Sequence, residues 1–192
     1  MTRYTNVNYN ILELIIERVT GRDISVEVTE KILKPLGMND SLYPVDERLP
    51  GSLRGYSLDA AAGGFVDKTV LNPSLAGGAG AMISTLRDLR VYARALARGT
   101  LLKPESQRAR LVTFALDGAP DWIRYGEGIE QVGRFYGHNG TIFGFSTEMY
   151  YLPERDAVIV INVNRLDGDD KSQSAELFFA IAKLLFPEYI NW

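Results

Sequence analysis

Apolar positions repeat with a helical period near the start of the chain, where Leu12, Ile15, Ile16 and Val19 recur three or four residues apart. Gly21 follows where a left-handed residue ends a helix, so a helix is predicted over 8–19. A weaker pattern predicts a second helix over 25–33, ended by Pro35 and Gly37. Residues 39–79 are rich in Gly, Pro, Asp and Ser and lack a period, which predicts an irregular segment with short pieces of structure. Within it, Gly77-Gly78-Ala79-Gly80 predicts a tight turn that brings the next helix into place.

That next helix opens on Thr85-Leu86-Arg87-Asp88, which has the form of a cap, and shows Leu89, Tyr92, Ala93 and Leu96 on one face until Gly99. Pro104 fits the first turn of another helix reaching about Leu116. From Tyr125 onward the period changes. The runs RFYGHNG, FSTEMYYL and AVIVINVN are rich in β-branched and aromatic residues and are separated by Gly or by Pro153-Glu154-Arg155-Asp156. They predict an antiparallel sheet with a hairpin turn at Pro153. A last amphipathic helix over 172–186, with Leu177, Ala180, Ile181, Leu184 and Leu185 on one side, is expected to cover one sheet face. The fold class is therefore α+β, with a helical and irregular lobe over 1–122 and an antiparallel sheet with a terminal helix over 123–192.

Composition narrows the function mainly by exclusion. The 192 residues are 46% hydrophobic and 23% charged, enough for one sizeable core or two small packed lobes. A net charge of −3 gives no field to gather phosphates, so no nucleic-acid partner is expected. With no cysteine and one histidine, disulfides and thiolate or histidine-rich metal sites are excluded, and no metal or other cofactor is expected. No stretch approaches the roughly 18 uninterrupted apolar residues of a membrane span, and the N-terminus has no signal-peptide core. As written the chain reads as soluble and unexported, although a complete protein with a different N-terminus could be exported.

Three blocks carry the candidate chemistry: YTNVNYNILELIIERVTGRDI followed by ILKPLGMNDS, then GGAGAMISTLRDLRVYARALARG, then YGHNGTIFGFSTEMYYLPERDAVIVINVN. In that order they resemble the serine β-lactamase and penicillin-binding-protein-like superfamily, and more narrowly its class C-like branch with D-aminopeptidases and family VIII esterases. The resemblance spans nearly the whole chain. It implies the β-lactamase/transpeptidase-like fold and a serine that attacks an amide or ester carbonyl to form an acyl-enzyme. A serine hydroxyl is a poor nucleophile without a base in reach, and a phenol beside a cationic lysine can serve as that base. Tyr4 matches that phenol, and Asn6 matches the amide that binds the substrate and orients the lysine. Read without the resemblance, Tyr4 is a half-buried aromatic and Asn6 a helix cap.

His138-Asn139-Gly140 stands where the family has Lys-Thr-Gly on a strand lining the site. By resemblance His138 would donate a hydrogen bond to substrate or to the tyrosine, Gly140 would admit substrate to the backbone, and the Thr141 N–H would be an oxyanion donor. Asn139 belongs to the same substrate-binding strand. His138 and Tyr4 should then converge to within roughly 10 Å despite lying 134 positions apart. Histidine instead of lysine at 138 argues against a dedicated β-lactamase, since lysine would supply a fixed charge for the drug's carboxylate.

The family's Ser-x-x-Lys nucleophile motif is not found. No serine has lysine three positions on, and the nearest run, Ser84-Thr85-Leu86-Arg87, carries arginine and matches a helix start. There is no Gly-x-Ser-x-Gly elbow either. Two readings stay open. The chain is the C-terminal portion of a serine hydrolase that is inactive alone, or it is a noncatalytic remnant or binding module that uses the residual site or an exposed sheet edge. Either way apolar surface is expected to lie bare, and a homo-oligomer or a complementing N-terminal segment is expected to cover it.

Overall fold

A computed structural model describes residues 2–46, 53–70, 72, 75–168 and 172–190. Parts of the irregular segment expected over 39–79 lie outside the described residues.

Helix α1 (Asn6–Thr20) starts where Thr5, in extended conformation, accepts the Val7 N–H on Oγ1 at 3.3 Å, and stops at Gly21 with φ 68°. The cap is therefore Thr5, and Asn6 is the first helical residue. The helical period is as expected, but the inward face is the polar one. Tyr9, Asn10, Glu13 and Glu17 turn toward the protein, while Val7, Ile11, Leu12, Leu14, Ile15 and Val19 stay exposed. The cause lies beneath the helix. In the Gly77–Ala79 turn the Gly78 N–H donates to Glu13 Oε2, and the Ala79 N–H donates to Asn10 Oδ1 at 3.1 Å. A Cβ at Gly78 would stand 2.7 Å from the Tyr9 carbonyl oxygen, so only glycine permits this approach. The Gly-rich turn seats α1, and the acceptors it needs must face inward.

After α1, α2 (Ile24–Val28) runs through a π turn (Thr29–Leu33) into α3 (Lys34–Leu36), which ends at Gly37 with φ 66°. Pro35 does not stop the helix as expected. It lacks an N–H for the carbonyl four residues back and its ring crowds that carbonyl, so the preceding turn widens and the helix continues to Gly37. The hairpin of β1 (Tyr56–Asp59) and β2 (Gly64–Asp67) follows. Helix α4 (Leu86–Arg98) has the expected cap, with Thr85 Oγ1 accepting the Asp88 N–H at 3.2 Å. Helix α5 (Pro104–Arg110) ends well short of Leu116. The Arg110 carbonyl accepts the Glu127 N–H at 3.2 Å, and Phe114–Ala115 leave as strand β3 to pair in the sheet.

Among the described residues β3 (Phe114–Ala115), β4 (Ile123–Tyr125), β5 (Glu130–Val132), β6 (Phe135–Ile142), β7 (Phe145–Leu152) and β8 (Ala157–Val163) form one antiparallel sheet in sequence order. Strand β9 (Arg165–Leu166) leaves it to pair in parallel with β1. At the expected hairpin turn, Asp156 adopts φ 47°, and its Oδ1 accepts from Arg94, Arg98 and Tyr151, each at 3.0 Å. That ties the β7–β8 turn to α4.

The last helix, α6 (Gln173–Leu185), is capped by Ser172 and covers one face of the sheet as expected. Its buried row differs from the expected one: Ser174, Phe178 and Ala182 face in, four residues apart, whereas Leu177, Leu184 and Leu185 are exposed. The hydrophobic side of the helix is wide, and the sheet selects the row with the large aromatic. Phe178 stacks against Phe135 and Tyr150 at centroid distances of 5.4 Å and 4.5 Å. On the opposite face of the sheet, Ala93, Leu96 and Ala97 of α4 pack on Met149 and Tyr151. The sheet is thus held between α6 and α4.

Truncating Phe178, 1% exposed, to alanine is expected to cost about 3–5 kcal/mol. Leu184→Ala, at a residue 80% exposed, should stay within about 0.5 kcal/mol. Urea unfolding of both variants checks which row of α6 carries the core.

Candidate active site

The residues before α1 lie along the sheet. Thr2 bridges to Leu116 in parallel, and the Asp117 N–H donates to the Thr2 carbonyl at 3.0 Å. This delivers Tyr4 to the end of β4. The Tyr4 ring sits 5.3 Å from Tyr125, 5.7 Å from His138 and 5.8 Å from Tyr9, centroid to centroid. The convergence of Tyr4 and His138 is therefore present in the fold.

Three of the four rings, those of Tyr9, Tyr125 and His138, are linked by hydrogen bonds, and Tyr4 joins them through ring contacts. Nδ1 of His138 lies 2.6 Å from the Asn139 carbonyl, which only accepts, so Nδ1 carries a proton. Nε2 lies 2.6 Å from the Tyr125 hydroxyl, which in turn contacts the Tyr9 hydroxyl. Burial pushes the Tyr4 hydroxyl pKa up, with added contributions from Tyr9 and the Glu130 carboxylate. Burial also raises Tyr9, although its bond to Tyr125 works the other way. For Tyr125, burial and then the Tyr9 bond drive the pKa well above the phenol range. These phenols hold their protons, the reverse of what a base requires.

The other expected site residues occupy one stretch of strand. Asn139, Gly140 and Thr141 are all exposed on β6, and a Cβ at Gly140 would meet open space. Strand β5 pairs with β6 only as far as Gly137, so from His138 to Ile142 β6 has β7 on one side and no described strand on the other. Asn139 joins the ring cluster through its carbonyl oxygen. Its side chain shares a face with Glu148, its partner in register. Asn6 is exposed, two positions past Tyr4.

Sequence reasoning missed Tyr9, Tyr125, Glu130 and Glu148. Tyr9 carried a faint signal, its place on the polar row of α1; the rest are brought in by strand register alone. Glu148 is 3% exposed and sits behind β6 against the cap of α6. Its Oε1 accepts from Ser174 at 3.0 Å, and Ser174, Ser146 and Ser172 bond one another. Burial pushes its pKa up to about 7, and the Glu130 charge adds to that, against the pull of the Ser174 and Ser172 hydroxyls. Among the described residues no cluster of three or more His, Asp or Glu side chains is arranged to hold a metal ion.

Both alternatives to a Ser-x-x-Lys motif sit at the ends of α4. Ser84 is engaged with Ser41 at 2.7 Å beside the buried Asp88, at the start of α4. The sequence also holds a threonine at the motif spacing, Thr100-Leu101-Leu102-Lys103, which sequence reasoning passed over. It forms the turn that ends α4, with the Thr100 N–H bonded to the Ala95 carbonyl at 3.0 Å.

A family model described as Beta-lactamase matches residues 1–182. The chain is similar, at 28% identity over 200 residues, to unguisins hydrolase ungD' of Aspergillus campestris, over 95% of this chain and 37% of that protein. It is 27% identical over 162 residues to the teichoic acid D-alanine hydrolase of Staphylococcus aureus, over 83% of this chain and 40% of that one. Among solved structures, a D-stereospecific amidohydrolase from Streptomyces sp. superposes with a TM-score of 0.83 at 28% identity, over 96% of this chain and 55% of that one. The chain spans well under half the length of these curated relatives and about half of the solved one.

Because the carboxyl of Glu148 has a folded pKa above its unfolded value near 4.5, its contribution to stability is fully present below that pH and is lost as pH rises through about 7. The expected loss is on the order of 3 kcal/mol across that window. Glu148→Gln should flatten the window, as read by thermal unfolding at a series of pH values.

Proposed function

Because this chain belongs to the Beta-lactamase family, we propose that it forms the C-terminal portion of a serine hydrolase that cleaves an amide or ester through an acyl-enzyme, with the nucleophile outside these 192 residues. One observation carries the reading: Tyr4 and His138, 134 positions apart, meet beside the stretch of β6 that has no described strand on one side.

In this mechanism a serine oxygen attacks the carbonyl carbon and its proton passes to Tyr4, then to the departing amine or alcohol. Water enters by the reverse route and releases the acid. The surroundings of Tyr4 hold its proton, so the absent half must also bring a cation, the role of lysine in Ser-x-x-Lys. In this reading Asn6 orients the substrate amide, and the exposed strand Asn139-Gly140-Thr141 receives the acyl group, with the Thr141 N–H as an oxyanion donor. The names of the relatives favour a D-configured amide or a D-alanine-bearing compound as substrate.

A second reading, a binding module, has its own observation: the bare apolar face of α1. Several hundred Å² of apolar surface in water costs on the order of 10 kcal/mol at roughly 25 cal/mol per Å², comparable to the stability of a domain. Association covers it, through a second copy or through a complementing segment.

Two outcomes are expected. The chain alone should give no burst with a nitrophenyl ester and no serine labelling by a phosphonate; stoichiometric labelling of any serine here overturns the division of labour. Sedimentation at micromolar concentration should show a dimer or larger species, and a dilution-resistant monomer would count against association.

A further inference from the structure

We propose that Tyr125, backed by Tyr9, is a positioning residue for His138: it holds the neutral form of the imidazole beside β6 as the Nδ1–H tautomer, with Nε2 accepting.

The argument follows from counting hydrogens. A backbone carbonyl cannot donate, so the 2.6 Å contact between Nδ1 and the Asn139 oxygen places one ring proton on Nδ1. A neutral imidazole then has its lone pair on Nε2, and the hydroxyl 2.6 Å away belongs to Tyr125. A phenol has one hydrogen, so Tyr125 donates it to Nε2. Its oxygen is then left to accept, and the neighbour in place to donate is the Tyr9 hydroxyl. The rings of Tyr125 and His138 meet at 90° with centroids 5.4 Å apart, so the two side chains are held edge to face. For the neutral ring only one direction runs through the chain: Tyr9 to Tyr125 to Nε2, and Nδ1 to Asn139.

The network selects the tautomer that free histidine disfavours in water.

The chain has a single histidine, which makes the test unambiguous. A long-range proton–nitrogen spectrum of the uniformly 15N-labelled chain, recorded near pH 8 where an ordinary histidine is neutral, should show a protonated Nδ1 and an unprotonated Nε2. Tyr125→Phe should shift the ring toward the Nε2–H form. Tyr9→Phe should produce a smaller shift in the same direction, and Tyr136→Phe, on the same strand but outside the network, none. An Nε2–H ring in the unsubstituted chain overturns the proposal, as does a Tyr125→Phe spectrum identical to it. If Tyr125→Phe loses its dispersed amide spectrum, Tyr9→Phe decides, and an unmoved tautomer there counts against the network. None of these readings requires hydrolysis, so a failed tautomer and a failed hydrolase assignment are separate results.

Discussion

Strand β7 is buried on both faces, and the rest of the structure is arranged around it. Tyr150 and Leu152 point to α6, Met149 and Tyr151 to α4, and no solvent-facing row is left over most of its length. Such a strand tolerates no slip, because a one-residue shift would move every side chain to the wrong layer. Its pairing with β6, from Tyr136–Tyr151 to Ile142–Phe145, then sets where His138 stands. A group that must meet a ring from the other end of the chain needs that degree of fixation.

The stretch of β6 beyond Gly137 shows how the same sheet provides both rigidity and access. Strand β5 stops pairing at Glu130, so among the described residues β7 is the one strand that anchors β6 where Asn139, Gly140 and Thr141 are exposed. Below that stretch the Glu148–Ser174–Ser146 cluster joins β7 to the cap of α6. The site therefore rests on a buried polar knot as well as on apolar packing. Buried carboxylates are costly unless hydrogen-bonded, and the serine hydroxyls here meet part of that cost.

Helix α1 reverses the usual arrangement. Its polar row turns inward because the Gly77–Ala79 turn presents N–H donors that require Glu13 and Asn10 as acceptors. Its apolar row is left facing outward. In this helix the hydrogen-bonding demand of a glycine-rich backbone decides the inner face, and the hydrophobic row is left for another surface.

The elements of this chain were largely legible in its sequence, because their causes are local. Thr85 and Ser172 cap helices by bonding N–H groups within the next turn, Gly21 and Gly99 stop them through a left-handed backbone, and the β-branched runs after Tyr125 form the strands that their composition favours. Tyr4 and His138 were legible too, through the order of three blocks rather than through any spacing between them. What the tertiary structure decided is which face each element buries and which side chains meet. Phe178 rather than Leu184 enters the core because the sheet opposite offers Phe135 and Tyr150, and α1 turns its acids inward because glycine N–H groups wait beneath it. Tyr125 and Tyr9 join His138 by strand register and helix placement, over separations of 13 and more residues at which no periodicity in the chain links them.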